Sequence, residues 1–199
     1  MRRGRQKRKA LSWFLAAALA AGILAAAAVA GRYWLFYRPY RAYEDCRGRE
    51  IDVETMKRWE ERAEDGVLGI VRMAGWRTGP DEMVASVSTG RRQRAGVICV
   101  YGSMELTNRG GLLWGRMGLE EEDFCVISEA LARNLFGSVD VTGECIRAGN
   151  RILTVAGVMD EDGETVMVPV TEGKVEYLSV EFDGRMGAEG KVKRLLEEY

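Results

Sequence analysis

Apolar and polar positions divide the chain into two unlike parts. Ala10 to Gly31 is a run of 22 residues without a charge. At about 1.5 Å per residue in a helix, such a run spans a hydrocarbon core of roughly 30 Å. Beyond it the pattern breaks into short stretches of changing period. Asp52 is placed to cap a helix over 53–65, with Val53, Met56 and Trp59 on one side. Strands are expected at 67–73, 82–88 and 95–101, punctuated by Gly79-Pro80 and Gly90. The glycine-rich stretch from Gly102 to Gly118 reads as loop.

From Asp123 onward the pattern tightens. Phe124 to Ile127 is an apolar strand, and Ser128 to Phe136 a short helix with Gly137 as its C′ stop. Ala148-Gly149-Asn150 is a hairpin turn between Cys145–Arg147 and Ile152–Val158. Thr165 to Val170 follows the acidic turn at 160–164, and Pro169 either ends that strand or confines it to an edge. Leu178, Val180 and Phe182 alternate with polar neighbours as a half-buried strand. Ala188, Val192, Leu195, Leu196 and Tyr199 follow helical spacing. The expected class is α+β: one N-terminal transmembrane helix, then a mixed α/β extracytoplasmic domain.

Charge gives this layout a direction. Residues 1–9 hold six of the 29 Lys and Arg and no acid, leaving 23 basic against 30 acidic side chains in residues 10–199, a net charge of −7. A basic tip before an apolar span stays in the cytoplasm. The expected organisation is thus a cytoplasmic tip at 1–9, a membrane helix with interfacial aromatics at 10–37, and an extracytoplasmic domain at 38–199. Tyr33 to Arg49 reads as the stalk leaving the membrane. Ala28-Val29-Ala30 also fits a signal-peptide cleavage site, but the apolar core exceeds the 7–15 residues usual there. Ala18, Gly22, Ala26 and Ala30 form a small-residue row open to another membrane helix. The acidic body gives no reason to expect nucleic acid as a partner.

Candidate chemistry is sparse. The chain has no histidine, which removes the usual base of Ser and Cys hydrolases and all His-ligated metal sites. Its four cysteines, Cys46, Cys99, Cys125 and Cys145, form no CxxC; Cys99 and Cys125 read as buried strand residues, and no disulfide pairing can be chosen from the sequence. No phosphate-binding GxxxxGK[ST] or GxGxxG is present, so ATP hydrolysis by this chain is not expected. The acidic turn at Asp160, Asp162 and Glu164 lacks the frame of a calcium loop, and Arg91, Arg92 and Arg94 look like a hairpin tip able to touch lipid or a partner. No cofactor, metal site or catalytic residue is expected. Ser128 is the sharpest nucleophile candidate, yet its flanks are Ile127 and Glu129 where an elbow needs glycines. Serine is a favoured N-cap, and Leu131 with Leu135 supplies an apolar face behind it.

The stretch "FCVISEALARNLFGSVDVTGECIRAGNRILTVAGV", residues 124–158, resembles the MacB-like periplasmic core domain of FtsX-like ABC transporter permeases. The positions that carry the resemblance are Val126, Ile127, Ser128, Leu131, Ala132, Leu135, Phe136, Gly137, Gly143, Thr154, Val155, Gly157 and Val158, with Gly115-Arg116 upstream. The resemblance implies a domain without an active site that couples a cytoplasmic ATPase to work outside the membrane. Permeases of this kind continue into three more membrane helices, whereas this chain ends at Tyr199. The expected function is an accessory or truncated subunit of an ABC transporter permease system. The alternative is a free-standing envelope module that binds a peptide, lipid or protein. The partners implied are the membrane itself, an ABC permease and ATPase subunit, or further copies of the chain.

Overall fold

The computed structural model describes residues 19–34, 39–64, 69–107, 109–117, 123–184 and 187–197. The first element, α1, covers residues 19–34 and is exposed throughout. Among the described residues no helix is long and apolar enough to cross a membrane. Residues 10–18 and 35–37 of the expected anchor, the tip at 1–9 and Tyr199 lie outside the described residues.

Beyond α1 the described residues build a ten-stranded sheet with three short helices. In chain order these are β1 (Tyr40–Asp45), α2 (Val53–Glu64), β2 (Ile70–Thr78), β3 (Glu82–Ser86), β4 (Arg92–Gly102), β5 (Leu112–Gly115), β6 (Phe124–Ser128), α3 (Glu129–Phe136), β7 (Cys145–Ala148), β8 (Arg151–Met159), β9 (Thr165–Pro169), β10 (Tyr177–Phe182) and α4 (Ala188–Glu197). The strand order is β1-β10-β2-β4-β3-β7-β8-β6-β9. β9 also pairs in parallel with β4, Gly96 opposite Thr165 through Val100 opposite Pro169.

That last pairing closes β4, β3, β7, β8, β6 and β9 into a small barrel. β4 can serve both halves because its one edge is divided. Residues 92–95 pair with β3 and 98–102 with β2, while the opposite edge takes β9. Inward-facing Val84, Val97, Ile127, Ile146, Leu153, Val155 and Val166 fill the interior. α3 adds Leu131, Ala132 and Leu135 to the same core. A barrel of this size holds side chains rather than a channel.

β2, β10 and β1 extend the sheet from the barrel wall. One face is covered by α2 and α4 around Met56, Trp59, Leu178, Phe182, Val192 and Leu195. The other carries Trp76, Ile98 and Val100 under a 3₁₀ turn at Met104–Leu106. α2 begins as the sequence predicts: Asp52 Oδ1 accepts from the Thr55 N–H at 2.8 Å, and Val53, Met56 and Trp59 are buried. That N–H bond, with the Thr55 hydroxyl beside it, holds the Asp52 carboxyl below its ordinary value.

Several expectations need correction. The supposed stalk contains β1, which pairs along its whole length with β10. Its alternation hides because only Ala42 is buried on an otherwise polar edge strand. The expected loop at 102–118 contains β5, a strand with all four residues exposed. β2 starts at Ile70 and runs on to Thr78, five residues beyond the expected end. Pro169 does end β9, but β9 lies between β4 and β6 rather than at an edge. β10 is more buried than predicted, since Ser179 is also covered and donates to the Ala42 carbonyl at 3.3 Å. All four cysteines are free thiols.

Candidate functional site

Ser128 lies where β6 passes into α3 and is fully buried. Its backbone is extended, at φ −70° and ψ 157°, as an N-cap requires. Its Oγ accepts from the Leu131 N–H at 3.2 Å and from the Thr165 N–H at 3.0 Å. The first bond caps α3; the second ties that cap to the first residue of β9. The hydroxyl oxygen therefore accepts from two backbone N–H groups in a fully buried position. Capping is what this geometry performs.

α3 then lays Leu131, Ala132 and Leu135 into the barrel, with Phe136 packed at the rim. On its solvent side Arg133 meets Glu129 at 2.6 Å, one turn earlier. Gly137 stops the helix in the left-handed conformation (φ 77°), and its N–H donates to the Arg133 carbonyl at 2.8 Å. Thr89, from the β3–β4 turn, donates its hydroxyl to the Leu135 carbonyl at 2.7 Å. Both ends of this two-turn helix are thus tied down.

The other family positions gather along β8. Val155 and Val158 are buried, as are Val126 and Ile127 on the parallel neighbour β6. Gly143 (φ 89°) donates its N–H to the Val155 carbonyl at 2.8 Å. Gly115 and Gly157 face each other where β5 crosses β8. A Cβ on Gly157 would stand 2.5 Å from the Arg116 carbonyl oxygen, and one on Gly115 would stand 2.1 Å from that of Ala156. Only glycine permits this approach, and it lets the Arg116 N–H reach the Ala156 carbonyl at 2.9 Å. The Arg116 guanidinium sits over the Phe124 ring, 5.7 Å from its centroid. The fold gathers these residues around the β5, β6 and β8 strands and α3.

Thiol chemistry is suppressed where burial is deep. Burial pushes the Cys125 thiol far up, raises Cys99, and takes Cys46 to about 11. A thiolate, the reactive form, is disfavoured at all three. Among the described residues no group of three or more Cys, Asp or Glu side chains is arranged to hold a metal ion. The acidic turn is engaged otherwise, with Glu161 accepting from Arg109 at 2.8 Å.

Two surface features escaped the sequence. Tyr43, Trp76 and Tyr177 cluster on β1, β2 and β10 with centroids 5.8–6.3 Å apart, and Arg47 lies over the Tyr177 ring at 5.3 Å. Arg47 also forks onto Asp45, with a 2.6 Å contact that holds the Asp45 carboxyl at about 2. The second feature is a groove on the outer wall of the barrel at β3, to which Arg92 contributes. Only Arg91 of the predicted arginine tip lies outside the strands; Arg92 and Arg94 belong to β4.

A mixed α/β domain whose family glycines and serine cap serve close packing is the class that this geometry defines. The chain belongs to the MacB-like periplasmic core domain family of ABC transporter permeases, matching it over residues 15–188. Several solved structures share the fold. One is the extracellular domain of the noncanonic ABC-type transporter YknZ from Gram-positive bacteria, 18% identical, covering 82% of this chain and 91% of that one, with a TM-score of 0.55. Another is the periplasmic region of MacB from Actinobacillus actinomycetemcomitans, 13% identical, covering 82% and 83%, with a TM-score of 0.60. No curated protein sequence matches the chain at a significant level.

Proposed function

We propose that this protein is a non-catalytic extracytoplasmic domain of an ABC transporter permease system, anchored through the apolar stretch at residues 10–31. The family match over residues 15–188 carries the reading, because it spans nearly all of the domain. The buried, doubly bonded Ser128 supports the absence of catalysis. The six cations at residues 1–9 support a cytoplasmic N-terminus with the sheet domain outside. In this role the domain offers its surface to partners or cargo outside the membrane, and the energy of ATP enters through other subunits.

Purification of the tagged full chain from membranes in a mild detergent tests the proposal. Permease and ATPase subunits are expected to travel with it. Recovery of the chain free of any ABC component, at unchanged yield, would overturn the assignment in favour of a free-standing binding module. Labelling by a serine-directed activity probe that disappears in Ser128→Ala would overturn the non-catalytic part alone.

A further inference from the structure

The groove on the outer wall of the barrel has a volume of about 480 Å³. Its centre is Ala85 on β3. Arg92 of β4 and Arg147 of β7 are the direct partners of Ala85 on its two sides. Directly opposed residues on neighbouring strands have Cβ atoms about 5 Å apart on the same face, so the two arginines bracket a single methyl group at roughly 10 Å spacing. Both are exposed, and among the described residues neither forms an ion pair. Nearby acids are used elsewhere: Asp81 meets Arg94 at 3.5 Å and Glu144 accepts from Ser88 at 2.7 Å. Glu82 stands beside Gly149, at the end of the groove away from the β3–β4 turn. On a body with a net charge of −7, an unpaired cation pair over a small residue is a local reversal of sign.

Apolar surface continues from this pair. Met83 on β3 is 59% exposed, and Val87, in the turn just past the end of β3, is 53% exposed, one on either side of Ala85 along the chain. The turn residues Val87 and Gly90 bound the groove at one end and Gly149 at the other. Five residues of strand make it about 16 Å long. Its volume lies within the usual range of small-ligand sites.

We propose that this groove binds a small anionic amphiphile. A phosphate or carboxylate head is clamped between Arg92 and Arg147 over Ala85, and a short apolar tail lies on Met83 or Val87. Guanidinium forks match both oxyanions in a bidentate manner, and the small floor residue leaves room for the head. The site makes no use of Ser128, the family glycines or any partner subunit, so it stands or falls apart from the permease reading.

The test is calorimetric titration of hexyl phosphate into the full chain held in phosphatidylcholine nanodiscs, with empty discs as the blank. Hexanol and inorganic phosphate each carry one half of the ligand and serve as controls. Saturable one-to-one binding of hexyl phosphate is expected, with both controls weaker. Arg92→Gln/Arg147→Gln weakens it about tenfold or more through loss of charge-assisted hydrogen bonds. Ala85→Glu, which places a carboxylate between the guanidiniums, abolishes it, and Arg94→Gln on the same wall leaves it unchanged. Circular dichroism melting checks that each variant is folded. Absence of binding overturns the proposal. So does equal affinity for inorganic phosphate, which would mark a plain anion site, or an equal loss in Arg94→Gln, which would mark unspecific surface charge.

Discussion

Ser128 shows how much one side chain can hold. Its oxygen satisfies two buried N–H groups, one from α3 and one from β9. Loss of an N-cap alone costs about 1 kcal/mol. Stranding the buried Thr165 N–H adds a comparable desolvation penalty. Ser128→Ala is therefore expected to destabilise the domain by about 2 kcal/mol, read from the urea midpoint. A loss near 1 kcal/mol would show that the bond to Thr165 contributes little. The cap itself was legible in the sequence, because Ser followed by Leu131 and Leu135 announces a helix start. The second bond was not legible, since Thr165 lies 37 residues away and only the sheet brings it near.

At the scale of elements, the close antiparallel pairing of β5 with β8 is a tight constraint. Gly157 lies with its Cα hydrogens against the Arg116 carbonyl, and Leu112 Cδ1 is the next neighbour. Backbone cannot yield as a flexible side chain can. Gly157→Ala is expected to cost about 2 kcal/mol or more through overpacking, and to release β5 from the sheet. Amide exchange by mass spectrometry reads the release as faster uptake at residues 112–116; protection equal to the wild type there would contradict it. In the sequence this glycine stands inside an apolar strand pattern, a recognised mark of close backbone approach. What approaches could not be seen. β5 itself is four exposed residues ending in Gly115, too short and too solvated to leave a periodic signal.

At the scale of the whole molecule, closure of β4 onto β9 removes two edges that would otherwise be open. β9 is wholly buried between β4 and β6, and β6 is held by β8 and β9. Their amides are expected to exchange only through global opening, while β1 and β5 exchange earlier as single-partnered strands. Hydrogen exchange that ran as fast in β9 as in β5 would rule out a closed barrel. The sequence by itself determined the local choices: where α2, α3 and α4 start or stop, that β6 and β8 are apolar strands, and the family positions over residues 124–158. Those follow from caps, periodicity and glycine, which act within a few residues. The tertiary structure alone decided that β1 is a strand, that β9 is interior despite Pro169, and that Arg92 meets Arg147 across Ala85. Each of these depends on pairing between segments tens of residues apart, where hydrogen-bond partners are chosen by the closing of the sheet and not by the residues' own preferences.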